Sequence, residues 1–257
     1  MLMHDKISPK SGEALQKAVR DAAHEITIGI MKYFFKEGAT INEIIIVPIT
    51  LLGRIIRTHD AIQLLLKEEH PTEAAVLALT QFELRLDLAY TADDVKHAAA
   101  WLEHEKLELS LLSVKNKIET LFKDEAEREN LTKIFTYLSG IKHGNPVYSE
   151  LGFPGRFSKS KIQISTGPLG DDFEKQFSEA VYKYALYQLA WSAQVLNVCI
   201  AKYTNLDKAI RQNVRDLCAT LHPFEQEFRQ FLENIAKHRP GHFGIKSFKR
   251  TKTTDKI

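Results

Sequence analysis

Charged and polar side chains interrupt two neighbouring apolar helices that the sequence predicts on either side of residue 70. The earlier helix carries His59 and Asp60, and the later one carries Glu83 and Asp87. Glu83 and Asp87 are four residues apart, so their carboxylates share one helix face. The connection between the helices is short, which predicts antiparallel packing. At a rise of about 1.5 Å per residue, Asp60 and Glu83 then lie at similar heights.

Three interpretations of these side chains are open. The first is an internal ion-pair network in which Arg54, Arg57 or Arg85 neutralises the carboxylates, because an unpaired charge in a helical core is costly. The second is a polar pocket within the bundle that binds a small ligand. The third is an exposed polar stripe. The pocket would be lined by polar side chains from several helices: Asp60, Glu83, Arg85, Asp87 and Tyr137.

A histidine near the end of a later predicted helix adds a candidate for acid–base chemistry. His143 lies in the last turn, where the helix dipole stabilises its cationic form. Alternatively, His143 points into the polar pocket and acts beside the carboxylates as an acid–base group. Carboxylate-bridged metal sites in bundles use paired Glu-x-x-His motifs, which this sequence lacks, Asp94-x-x-His97 being the nearest match. We therefore predict no metal and no cofactor.

The expected fold is all-α, a multi-helix bundle with a long central loop over residues 144–170. This loop holds five of the twelve glycines and three of the eight prolines, whereas apolar residues elsewhere recur at helical spacing. Alternation over residues 162–164 is typical of a short strand or β-hairpin. The predicted organisation is a flexible lead-in at 1–8, a single helical domain at 9–243 and a basic, disordered tail at 244–257.

Local signals predict where the helices begin and end. Ser8 and Pro9 start the first helix. The second begins after Asn42 and ends near residue 69, and Pro48 should kink or split it. The remaining predicted helices cover 72–90 with a broken continuation to 104, then 106–123, 125–141, 172–203 and 206–236.

Charge and composition restrict the class of protein. The net charge is +2, of which the last fourteen residues carry +4 and the rest of the chain −2. The body therefore lacks the basic face of a duplex-DNA binder, although the tail could contact phosphate or an acidic partner. The two cysteines, Cys199 and Cys218, are predicted as buried thiols in a reducing compartment. The sequence shows neither a secretory signal nor an apolar run of membrane-spanning length, so we expect a cytoplasmic chain without membrane contact.

Two helix patterns resemble a widespread, uncharacterised bacterial helical domain family. One family helix carries a pattern of the type hydrophobic-Arg-Ser-x-Phe-Glu, whose last two positions are matched here by Phe82 and Glu83. A later one ends in Tyr-x-x-Leu-Ser-x-x-x-His-Gly, matched by Tyr137, Leu138, Ser139, His143 and Gly144. The similarity covers roughly residues 50–200. The family carries an arginine just before Phe-Glu, whereas this chain has Leu79-Thr80-Gln81, so Arg85 or Arg54 would have to replace it.

A weaker pattern is similar to the HEPN ribonucleases of toxin–antitoxin and phage-defence systems, which carry arginine and then histidine after four to six residues. Arg54 and His59 fit that spacing, but on an early helix rather than the expected late one. His143 is better placed but follows Lys142 rather than an arginine. The resemblance implies a metal-independent site across a dimer, where histidine activates the ribose 2′-hydroxyl and arginine stabilises the phosphorane.

The functional expectation is a non-catalytic helical sensing or interaction module of a bacterial stress or phage-defence system. It should form a homodimer and could bind a protein encoded in the same operon. The alternative is a HEPN-like ribonuclease toxin that acts on RNA through His143 or His59, with Arg54 as the electrostatic stabiliser. A small-ligand pocket around Asp60, Glu83 and His143 is the third possibility.

Overall fold

The computed structural model describes residues 9–37, 43–103, 113–143, 155–158, 161–164, 172–200 and 206–237. The chain is an all-α multi-helix bundle, as the sequence predicts. Its described helices are α1 (Pro9–Glu37), α2 (Glu43–Lys67), α3 (Pro71–Asp93), α4 (Val95–Leu102), α5 (Val114–Leu121), α6 (Glu125–Lys142), α7 (Asp172–Ile200), α8 (Lys208–Leu221) and α9 (Pro223–Lys237). Strands β1 (Gly155–Ser158) and β2 (Lys161–Ile164) pair antiparallel, with Gly155 opposite Ile164.

Short polar side chains begin four of the helices. Asp94 accepts a hydrogen bond from the Lys96 amide at 2.8 Å at the start of α4. Ser113, Asp124 and Asp207 do the same for the first turns of α5, α6 and α8. Each such cap satisfies an amide that has no partner within its own helix, which contributes about 1 kcal/mol.

The α2–α3 hairpin turns through Glu68, Glu69 and His70. The amide of His70 donates to the carbonyl of Leu65 at 2.8 Å, and Glu69 adopts a left-handed φ of 60°. This is the usual way to end a helix, with glutamate at a position that glycine normally occupies. The turn is short, so α2 and α3 return alongside each other and pack together as predicted.

Pro48 lies inside α2 without splitting it. The sequence predicts a kink or a split at this residue, but one helix runs from Glu43 to Lys67. Proline removes one backbone hydrogen bond and crowds the preceding turn. Buried neighbours hold the helix against the bundle on both sides of the proline, and Pro48 itself is buried. These neighbours are Ile44, Ile45, Val47, Leu51 and Leu52.

Two helices, α3 and α7, form the centre of the bundle. Helix α3 packs against α2, α4, α5, α6 and α7, and α7 packs in addition against α1, α8 and α9. Apolar side chains form two clusters, one around α1, α2 and α8 and the other around α5, α6 and α9. Both clusters include residues of α3 and α7, and Trp191 of α7 packs against both, so the two central helices connect them.

The C-terminal part contains a helix break that the sequence analysis missed. A single helix over 206–236 was predicted, but α8 ends at Leu221 and α9 begins at Pro223. Proline has no amide hydrogen to continue α8, whereas it suits the first position of a new helix. The break places Glu225 in the first turn of α9.

Several predictions fall on residues outside the described ranges. These are the lead-in at 1–8, the Asn42 cap, Gly144, the tail at 244–257, and the central loop at 144–170 apart from its two strands. Within the described part of the chain, none of the helices combines the length and the apolar character that crossing a membrane requires.

Candidate functional site

Arg85 is the most deeply buried charge in the described structure. Its side chain is 1% exposed, and its Nη2 donates to Oε1 of Glu225 at 2.6 Å. Four aromatic rings surround the guanidinium, with centroids 5.0–5.9 Å from Cζ: Phe82, Tyr184, Tyr187 and Trp191. Burial is the largest single influence on Arg85 and lowers its pKa, but Glu225, Tyr184 and Tyr187 together outweigh burial and the net pKa is raised. The side chain is therefore a permanent cation that fastens α9 to α3.

Asp87 forms a second buried ion pair, with Lys117 of α5. Their side chains are 19% and 7% exposed. Burial raises the pKa of Asp87 even though Lys117 and Arg54 oppose the shift. Glu83, one turn earlier on α3, also has a raised pKa because it is half-buried, with Lys142 of α6 as the main opposing charge. Asp87 therefore joins α3 to α5, and Glu83 lies near the end of α6.

Asp60 points away from Glu83, towards α1. Arg20 Nη2 donates to its Oδ2 at 2.8 Å, and both side chains are partly exposed. Asp60 and Glu83 therefore do not form the pair that their similar heights allow. Equal height along two helices does not make two side chains face each other. Asp60 and Glu83 point in different directions around their helix axes, so their carboxylates meet different neighbours.

His59 lies in a polar layer between α2, α3 and α7. It is 0% exposed, and burial lowers its pKa to about 4, with Arg20 acting in the same direction and the nearby Ala185 carbonyl in the opposite one. Neither ring nitrogen has a hydrogen bond of ordinary geometry within the described residues. In the same layer, Gln81 Nε2 donates to the carbonyl of Ala185 at 3.2 Å, and Gln188 Nε2 donates to that of Ala78 at 3.3 Å.

The other predicted site residues lie apart from this layer. Arg54 is exposed on α2, although close enough to Asp87 to lower its pKa. His143 is exposed at the C-cap of α6, and its amide donates to the Ser139 carbonyl at 3.0 Å. Tyr137 is half-buried on α6 and lines a cleft beside α5. Within the described residues, no ion pair or hydrogen bond joins any two of Asp60, Glu83 and His143.

The predicted ion-pair network is therefore correct in kind but wrong in its partners. Arg54, Arg57 or Arg85 was expected to neutralise Glu83 and Asp87, yet the described partner of Asp87 is Lys117 and that of Arg85 is Glu225. The pairs instead join distant segments: Arg20–Asp60, Asp87–Lys117 and Arg85–Glu225. Spacing within a hairpin could not identify them. Two sequence signals were available: Glu225 is an acid in the first turn after Pro223, and Lys117 lies on the apolar side of an amphipathic helix.

An open polar groove lies between α1, α2 and α7. Its volume is about 810 Å³, and Asp60 and Arg20 lie in its wall. The Tyr182 hydroxyl donates to the Gly12 carbonyl at 2.7 Å, which joins α7 to α1 at this groove. The remaining lining comes from the same three helices: Glu13, Gln16, Gln63, Leu64, Leu66, Lys67, Glu179 and Lys183.

Metal binding finds no support among the described residues, which contain no group of three or more histidine, cysteine, aspartate or glutamate side chains arranged to hold an ion. Cys218 is half-buried with a pKa raised by burial to about 11, so its thiol is protonated and poorly nucleophilic at neutral pH.

Comparisons with protein-family models, with curated proteins and with solved structures find no match to this chain.

Proposed function

We propose that this chain is a non-catalytic helical module that senses or binds a partner. The observation that supports this most is the pairing of the hairpin charges with other helices. Asp60, Arg85 and Asp87 each form an ion pair with a segment distant in sequence. Charges used in this way hold helices in place and are not presented together to a reactant.

The ribonuclease alternative gains less support from the same geometry. His59 has no exposed surface, so it cannot contact a phosphodiester in this conformation. Its lowered pKa also leaves it uncharged at neutral pH. His143 and Arg54 are exposed but lie on different helices, and no arginine among the described residues hydrogen-bonds to His143.

The proposed setting is a bacterial stress or phage-defence system with a partner from the same operon, and the sequence resemblance is its support. The proposed homodimer is supported by the long apolar helices near the C-terminus. The basic tail at 244–257 supplies the net positive charge that a contact with RNA or with an acidic protein would use.

Expression of the wild-type chain, Arg54→Ala and His143→Ala under tight control tests catalysis. We expect all three to leave growth and total RNA unchanged. Cleavage of RNA by the wild type, abolished by either substitution, would overturn the proposal in favour of the ribonuclease.

Light scattering coupled to size-exclusion chromatography, together with affinity purification of the tagged chain from its own host, tests interaction. We expect a dimer at low micromolar concentration or a stoichiometric partner. A monomer that recovers no partner would contradict the proposed function.

A further inference from the structure

The groove between α1, α2 and α7, called here the α1–α2–α7 groove, carries at one end an acid and a lysine that have no ion-pair partner among the described residues. Arg20 of α1 pairs with Asp60 of α2, and the two helices run in opposite directions. Glu13 lies seven residues before Arg20, and Lys67 lies seven after Asp60. Glu13 and Lys67 therefore both lie about 10 Å along the helices from the Arg20–Asp60 pair, on the same side of it. Neither forms an ion pair with any described residue.

Apolar and amide groups line the groove between its charges. Leu64 is 60% exposed, and both Leu64 and Leu66 line the groove. Gln63 also lines the groove, but its Nε2 is buried, so a bound ligand does not reach that atom in this conformation.

The remaining charges favour one class of ligand. Three cationic side chains, Arg20, Lys67 and Lys183, line the groove together with three carboxylates, Glu13, Asp60 and Glu179. A nucleic acid would bring its phosphates close to three carboxylates, which disfavours it. A ligand with an ammonium group, a carboxylate and an apolar middle would match both signs. The volume of about 810 Å³ exceeds what a single amino acid needs and lies within the range of ligand sites.

We propose that the α1–α2–α7 groove binds a short peptide with free charged ends. The peptide ammonium pairs with Glu13, its carboxylate pairs with Lys67, and an apolar side chain packs on Leu64. This assignment rests on the proposed interaction function and names the ligand that it would sense. Free amino acids share the same chemistry, so the test separates the two sources.

Isothermal titration of the full chain with tripeptides that carry a central leucine and free ends tests this assignment. Two comparison ligands are the same peptides with acetylated and amidated ends, and free leucine. We expect saturable binding of at least one free tripeptide below about 1 mM. Capping both ends should weaken that binding at least ten-fold, and free leucine should bind more weakly than the tripeptide.

Variants locate the site. The double variant Glu13→Gln with Lys67→Gln should weaken binding at least five-fold, and Leu64→Ser should also weaken it. Lys17→Gln is the matched control, because Lys17 is an exposed lysine on α1 that does not line the groove and should not change binding. All of these side chains lie at the surface, so each variant should unfold at the wild-type temperature.

Three outcomes overturn the inference: no binding by any tripeptide, equal binding of the capped peptides, or wild-type affinity in the double variant. Free leucine that binds as tightly as the tripeptides would reassign the groove to amino acids and overturn the peptide assignment. These failures are distinguishable from failure of the proposed function, because oligomeric state and partner recovery are measured separately.

Discussion

Substitution of Glu225 by glutamine should expose how strongly the bundle depends on one ion pair. The change keeps the shape of the side chain but removes the charge that neutralises Arg85. Arg85 is 1% exposed and surrounded by aromatic rings, so water cannot replace the lost carboxylate. The guanidinium cannot release its proton to escape the penalty, because its pKa is far above neutral pH.

The expected cost follows from the burial of the pair. Removing one partner of a buried ion pair costs about 3–5 kcal/mol, because the other charge stays in a medium that solvates it poorly. For a chain of this size, each kcal/mol lowers the melting temperature by about 2–4 °C. Glu225→Gln should therefore melt roughly 6–20 °C below the wild type.

Glu227→Gln is the matched control on the same helix. Glu227 accepts from Lys183 at 3.1 Å, but its side chain is 36% exposed, so this change should cost no more than about 1 kcal/mol. A double variant, Arg85→Met with Glu225→Leu, should recover most of the stability lost in Glu225→Gln, because the aromatic rings can pack against an apolar side chain. Urea unfolding followed by circular dichroism measures all four proteins. Equal stability of the Glu225→Gln and Glu227→Gln variants would refute the reasoning.

Three further predictions concern stability. Burial lowers the pKa of the His59 imidazole from 6.5 to about 4. As the pH falls, the unfolded chain therefore binds a proton at His59 before the folded chain does. The contribution of neutral His59 to folding stability is complete above pH 6.5 and is lost as the pH falls towards 4. Between pH 7 and 4.5 the wild type should lose about 2–3 kcal/mol more than His59→Leu in urea unfolding, and equal losses would contradict the assignment. Asp87→Asn should cost about 3 kcal/mol in the same assay because it leaves Lys117 buried and unpaired, whereas an effect below about 1 kcal/mol would place that ammonium in water. Gly53→Ala should raise the free energy of unfolding by about 0.5–1 kcal/mol, because nothing lies within 4 Å of the added methyl group. Gly29→Ala should raise it less, because its methyl group would lie 2.8 Å from the Leu206 side chain. An equal increase in both variants would show that the Leu206 side chain moves aside at no cost.

The fold could be predicted because its signals are local. The helix start at Pro9, the interruption expected between residues 90 and 104, and the turn near residue 70 each depend on a few neighbouring residues, and helices α1, α3 and α4 begin or end there. Pro48 and Pro223 show the limit of such signals. The same residue type was expected to interrupt α2, where burial holds the helix together, and was overlooked where it does start a new one.

The candidate site was harder to predict because it depends on which way each side chain points around its helix. The sequence identified Asp60, Arg85 and Asp87 as unusual, and all three form ion pairs. Their partners lie 30 to 140 residues away in the chain, and only the packing of helices brings them near. The α1–α2–α7 groove was missed for the same reason, since its lining residues have ordinary surface composition in each helix alone.

The two glutamines of the polar layer are bound reciprocally, each donating to the backbone of the other's helix. Helices with uniformly apolar contact faces can slide past each other by one turn, about 5.4 Å, at little cost. Such a slip between α3 and α7 would break both hydrogen bonds together and leave two buried amides unsatisfied, at about 2–6 kcal/mol. Gln81 and Gln188 thus oppose any gradual sliding of α3 along α7. Motions of this bundle are therefore expected to move α3 and α7 together as one unit.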